Sequence, residues 1–106
     1  MKNSPKDCKN MDELRIEIDR IDQELMVKLV ERVGYIDRAA EIKSVVDLPA
    51  RIDERVEEVV DNARKNAISA GFDPELAAFI WREMIDWSIA REDKKLKGNS
   101  DDSEDN

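Results

Sequence analysis

The chain has no histidine and only one cysteine among its 106 residues. Without an imidazole there is no Ser-His-Asp or Cys-His nucleophile system, no imidazole acid–base catalyst and no histidine metal ligand. Cys8, being alone, excludes an intrachain disulfide and a CxxC site. Glycine and proline are scarce, three of each, and aromatic residues make up 5%. No run of about 18 apolar residues occurs, so no membrane-spanning helix is expected. No signal-peptide pattern opens the chain, and a cytoplasmic location with a reduced Cys8 is the expectation. Bases are outnumbered 18 to 26 by acids, and the net charge of −8 argues against a nucleic-acid partner. Any chemistry therefore falls to carboxylates, Arg, Lys, Ser or Tyr, or to binding alone, with no metal and no cofactor implied.

What remains is helical in character, rich in Glu, Arg, Lys, Ala, Leu and Ile, with no period-2 strand and no internal repeat. The length fits one domain. We read an N-terminal arm over 1–10, a helical domain over 11–97 and an acidic tail over 98–106. That tail carries Asp101, Asp102, Glu104 and Asp105 without a base among them, too polar to fold. The first helix is expected from Met11 or Asp12 to Lys43 or Ser44. Its seam runs Met11, Leu14, Ile18, Ile21, Leu25, Leu29, Arg32, Ile36, Ala39, Lys43, with spacings of three and four. The pattern continues past Gly34, so the helix is read through it. A second helix is expected to start near Pro49, a favourable first-turn residue, carry Ile52, Val56, Val59, Val60 and Ala63, and stop before Gly71. Asp73-Pro74 is an N-cap followed by a first-turn proline. A third helix then follows from Pro74 to about Lys97, with the stripe Ala77, Trp81, Met84, Ile85, Ser88, Ile89, Glu92. Trp81 and Trp87 are assigned mainly to packing.

A first helix of some 32 residues spans about 48 Å, whereas a compact domain of this size has a radius of gyration near 13 Å. The two shorter helices cannot cover a seam of that length. The expectation is an all-α, three-helix chain in an intertwined homodimer; a helix broken at Gly34 is the alternative.

Several charged or polar residues stand on apolar faces. Arg32 and Lys43 lie in the seam of the first helix, three turns apart and within about 20° of one direction. Ser88 and Glu92 share a face of the third helix, and Arg55 borders the stripe of the second. Buried charge is costly unless paired, and an excess of cations at a core edge suggests a bound anion. Each residue also has a plainer account: a snorkelling Arg32, a Lys43 favoured by the helix C-terminus, a space-filling Ser88, a Glu92 paired with Arg91 or Lys95, an Arg55 bridging to Glu58 or Glu54. Arg15 lies about 25 Å from Arg32 along the axis and roughly 100° off its face. In an antiparallel dimer it could reach the partner's site.

The ordered set Leu14-Arg15, Ile18-Asp19, Ile21-Asp22, Glu31-Arg32, Lys43, Glu54-Arg55, Ser88 and Glu92 resembles the all-helical chorismate mutase family over about residues 11–95. The resemblance implies an intertwined homodimer with two sites, each completed by an arginine from the other chain. It implies conversion of chorismate, a small dicarboxylate, to prephenate by a concerted [3,3] rearrangement without cofactor or nucleophile. By the same resemblance Arg32 and the partner chain's copy of Arg15 clamp the carboxylates. Lys43 donates to the ether oxygen, Ser88 assists a carboxylate, Arg55 lies near the ring hydroxyl and Glu92 takes the second ether-oxygen position. Lys43, Glu92 and Arg32 would be the catalytic residues. An ionised carboxylate cannot donate a hydrogen bond, so Glu92 has to carry a proton when active, a state that burial favours.

Val56 stands where many mutases have a glutamate. That feature, with the arm Ser4-Pro5-Lys6-Asp7-Cys8 and part of Ile85-Asp86-Trp87, is similar to the isochorismate-pyruvate lyases, a sister group on the same scaffold. Ser88 and Glu92 favour the mutase. A helical dimerisation module without catalysis is the reading from another class, and predicts that Arg32→Ala and Lys43→Ala leave function unchanged. The segment Ser44–Ala50, just after Lys43, is expected to form a mobile cover over the site. No dedicated regulatory domain is expected within these 106 residues.

Overall fold

The computed structural model describes residues 2–101, with side chains through residue 98. The described residues contain a short 3-10 turn at Pro5–Asp7 and three helices: α1 over Met11–Val46, α2 over Asp53–Ala70 and α3 over Pro74–Asp101. No strand occurs among them. The chain divides into two units, Met1–Gly34 and Tyr35–Asn106.

The first unit is the arm and the first two thirds of α1, residues 11–34. Asn10 opens the helix, its side-chain oxygen accepting from the Glu13 N–H at 2.9 Å, while the Glu13 carboxylate accepts from the Lys9 N–H at 2.9 Å. The first bond satisfies a donor that a helix N-terminus leaves open, and the second ties the preceding arm to the first turn. The Arg20 side chain holds the Glu17 carboxyl below its ordinary range, against a smaller opposing effect of desolvation and with help from the Asn3 backbone N–H. That last contact lays the arm along the first turns of α1. No residue of this unit's described part is buried. Ile18, Ile21 and Leu25 are exposed, Leu25 by 56%, and so are Met26, Val27 and Val30 on other faces.

The second unit holds the core. Val56, Val60, Ala78 and Ile85 pack together with Val59 and Ile89 against them; Ala63, Ala67 and Ala77 form a second cluster beside Trp81. The alanines let α2 and α3 approach closely as an antiparallel hairpin. Gly71, at φ 81°, ends α2 in the left-handed conformation, with the Phe72 N–H reaching back to the Ala67 carbonyl at 2.8 Å. Asp73 caps α3, its Oδ1 accepting from the Glu75 and Leu76 N–H groups.

The end of α1 uses a harder device. Asp47 takes φ 61°, and the Leu48 N–H bonds the Lys43 carbonyl at 2.9 Å, a Schellman closure with aspartate where glycine is usual. Aspartate tolerates this backbone region better than most residues. The closure carries α1 two residues past the expected Ser44.

Two other boundaries move. α2 begins at Asp53 instead of near Pro49. Ala50 is buried with its carbonyl given to Lys43 Nζ, and the Ile52 carbonyl is the first to accept helical bonds, from Arg55 and Val56. The proline therefore lies in the connection. α3 runs to Asp101, beyond the Lys97 expected to end it. The remainder of the acidic tail, 102–106, lies outside the described residues. Gly34 is helical, and α1 continues through it.

Candidate active site

Three of the second unit's candidates, Lys43, Ser88 and Glu92, stand where the last turns of α1 meet α3. Lys43 is on the final turns of α1. Its ammonium donates to the Ala50 carbonyl at 2.8 Å and to Glu92 Oε1 at 2.7 Å. The Glu92 side chain is 6% exposed and that of Lys43 18%. This ion pair is thus nearly dry, and each charge has the other as its reason for tolerating burial. The plainer account of Glu92, pairing with Arg91 or Lys95 at the surface, does not hold.

One turn before Glu92, Ser88 is also buried. Its Oγ has no hydrogen-bond partner among the described residues. A hydroxyl in that condition costs on the order of 1–3 kcal/mol, so a space-filling role that satisfies itself on a backbone carbonyl is excluded. This buried hydroxyl, one turn from the buried ion pair, is therefore a candidate contact for a polar ligand.

The remaining candidates stand differently. Arg55 is exposed and gives its guanidinium to Glu58 at 2.7 Å; no contact brings it to Lys43 or Glu92. Its neighbour Val56 is core. Arg15 and Arg32 belong to the first unit. Arg32 is half-buried and engaged. Arg15 is exposed and has no ion pair among the described residues, whereas Arg20, Arg38, Arg51, Arg64, Arg82 and Arg91 each bind a carboxylate. In a chain with surplus acid, an arginine left without one stands out.

Sequence reasoning missed two participants. One is the Ala50 carbonyl, invisible to any argument from side chains. The other is Asp37, whose carboxylate receives Arg91 through two bonds, Nε to Oδ1 at 2.7 Å and Nη2 to Oδ2 at 3.1 Å. The Arg91 hydrogen bond holds the Asp37 carboxyl below its ordinary range against partial desolvation, with Lys95 adding to the effect. The available signal was Ala40. This small residue lies midway between Asp37 and Lys43, with each about 60° to one side of it. A small residue flanked by two ionisable ones marks a close helix contact.

Residues 14–93 match the family described as chorismate mutase type II. The chain is 39% identical over 88 residues to the bifunctional chorismate mutase/prephenate dehydratase of Aquifex aeolicus, covering 80% of this chain and 24% of that protein. It is 30% identical over 92 residues to the isochorismate pyruvate lyase of Pseudomonas aeruginosa, covering 86% of this chain and 89% of the lyase. It is also 30% identical over 82 residues to the T-protein of Enterobacter agglomerans, covering 77% of this chain and 22% of that protein. The chain thus spans about a quarter of the first of these relatives and nearly all of the second.

Proposed function

From the premise that the chain belongs to the chorismate mutase type II family, we propose that it is a chorismate mutase, an isomerase converting chorismate to prephenate as a homodimer. The observation that supports this most directly is the dry Lys43–Glu92 pair beside the unpartnered Ser88 hydroxyl. A concerted rearrangement needs neither nucleophile nor cofactor. It needs the substrate held in its reactive shape and charge stabilised where it develops, and preorganised donors in a low-dielectric site do both.

In this reading Arg32 and Arg15 of a second copy hold the two carboxylates. The guanidinium fork suits them to the task. The seam exposed on α1 and the uncommitted Arg15 support a second copy as the source of that arginine. Lys43 turns from Glu92 to the ether oxygen, Ser88 donates to a carboxylate, and Arg55 leaves Glu58 for the ring-hydroxyl end. Glu92, once a ligand takes Lys43 from it, donates to the ether oxygen as a neutral acid. Glu92→Gln, a permanent donor, keeps turnover, whereas Glu92→Ala loses it; wild-type turnover in Glu92→Ala removes Glu92 from this role.

A second reading has its own support. The chain is nearly coextensive with the Pseudomonas lyase, whereas Val56, packed in the apolar cluster, is accounted for as core. That reading has the chain release pyruvate from isochorismate. The deciding experiment offers chorismate and isochorismate separately and identifies the product. Prephenate upholds the mutase and salicylate replaces it with the lyase. If neither forms, and a bicyclic transition-state analogue gives no thermal stabilisation that Arg32→Ala abolishes, the chain is a dimerisation module. Of the segment expected to cover the site, Ser44 to Val46 are the last residues of α1 and Ala50 is buried with its carbonyl on Lys43, so the proposed cover is reduced to the connection 47–49. The cytoplasmic location also remains a proposal; no helix among the described residues is long and apolar enough to cross a membrane.

A further inference from the structure

Arg91 follows the ligand-facing Ser88 on α3 and sits beside Glu92, yet it points to a different partner. Its guanidinium meets Asp37 of α1 through two bonds, and its Cζ lies 5.5 Å from the centre of the Trp87 ring. Lys95 Nζ stands 3.9 Å from the same Asp37 oxygen. The guanidinium is thereby fixed by a carboxylate and a ring face together. On α1, Asp37 and Lys43 flank Ala40, which is 2% exposed. Two charged ties therefore join α1 to α3, about 9 Å apart along the helix: Lys43–Glu92 and Asp37–Arg91.

The two ties differ in fate. A ligand that uses Lys43 and Glu92 has to open the first. The second involves neither of them and stays closed. With only the Ala40 methyl group buried between, little packing is available to hold α1 in place once the first tie is open.

We propose that the bidentate Asp37–Arg91 pair is a positioning clamp, which sets the separation of α1 and α3 at the level of Lys43 and Glu92 and preserves it while a ligand draws those two apart. The proposal rests on the reading of the site given above. Asp37 and Arg91 touch no substrate; they act through the placement of Lys43 and Glu92. A misplacement of about 1 Å is enough to cost on the order of a hundredfold in rate.

The test compares wild type, Asp37→Asn, Arg91→Lys and the double variant in chorismate turnover, with thermal midpoints recorded for each. Arg91→Lys retains the charge and loses the two-point contact, which separates geometry from simple ion pairing. The clamp predicts a fall in kcat of about tenfold or more in each single variant, KM within about twofold, and folded protein at the assay temperature. It predicts also that the double variant is no worse than the poorer single one, because the pair acts as a unit. Wild-type kcat in Arg91→Lys, or independent losses that multiply in the double variant, overturns the clamp while leaving the mutase reading intact. A loss of turnover that merely follows the loss of folded protein overturns it as well. Wild-type protein that turns over neither chorismate nor isochorismate overturns both.

Discussion

The two units of this chain are built from the same helical material and differ in what they bury. Residues 35–98 enclose two apolar clusters, with Val60 wholly inaccessible. The described residues up to 34 enclose nothing, although they carry Ile16, Ile18, Ile21, Leu25, Met26, Val27 and Val30 on the surface. A free helix of that length has little stability from propensity alone and normally depends on packing of its apolar face. The second unit meets its own requirement for burial, whereas the first leaves its apolar side chains exposed. Apolar residues on more than one side of α1 ask for more than a single contacting strip. The proposed homodimer answers this, and Arg15 lies within that uncovered region.

The contrast can be broken most forcefully through shared sites. Lys43→Ala and Arg15→Ala are each expected to lose at least a hundredfold in chorismate turnover. Mixed after unfolding and refolding together, they should regain about a quarter of wild-type activity, because half the dimers are mixed and each mixed dimer keeps one intact site. No recovery on mixing means that Arg15 serves its own chain or no site.

A charge placed on the first unit comes next. Leu25→Asp should reduce the mass in sedimentation from dimer to monomer and lower helicity, since an ionised carboxylate would be buried without a partner. Unchanged mass and circular dichroism would place Leu25 in water, outside any interface. The same logic applied to the second unit gives a smaller effect. Val60→Ala should cost about 2 kcal/mol in denaturant unfolding without changing the oligomeric mass, because that core belongs to a single chain.

The smallest change tests the boundary between the units. A Cβ at Gly34 would meet nothing within 4 Å. Gly34→Ala is therefore expected to raise stability by about 1 kcal/mol through helix propensity. Destabilisation in its place would show that a second copy presses its backbone against that position.

The helices themselves were legible. Spacings of three and four along α1, the Asp73-Pro74 start and the Gly71 stop are local signals, and local signals need no knowledge of the rest of the chain. The α2 start was misread for a reason of the opposite kind. Pro49 is an acceptable first-turn residue, but Ala50 gives its carbonyl to Lys43, a contact no propensity contains. Of the candidate site, the alignment of Ser88 with Glu92 and the oddity of Lys43 on an apolar seam followed from helical phase. That Glu92 pairs with Lys43 and not with Arg91 did not, because both cations were within reach of a plausible argument. Arg91 was already taken by Asp37, an assignment that depends on how α1 crosses α3.

The sequence by itself determined an all-helical chain, the approximate length of α1, the excess of apolar surface on it and, through the missing histidine, a chemistry without imidazole. Those properties reside in composition and period. Only the tertiary structure decided which opposite charges meet, which hydroxyl is left without a partner and which carbonyl steadies the ammonium. Such choices are set over a few ångströms between segments some fifty residues apart, where hydrogen bonding and burial select one pairing from several that the sequence allows.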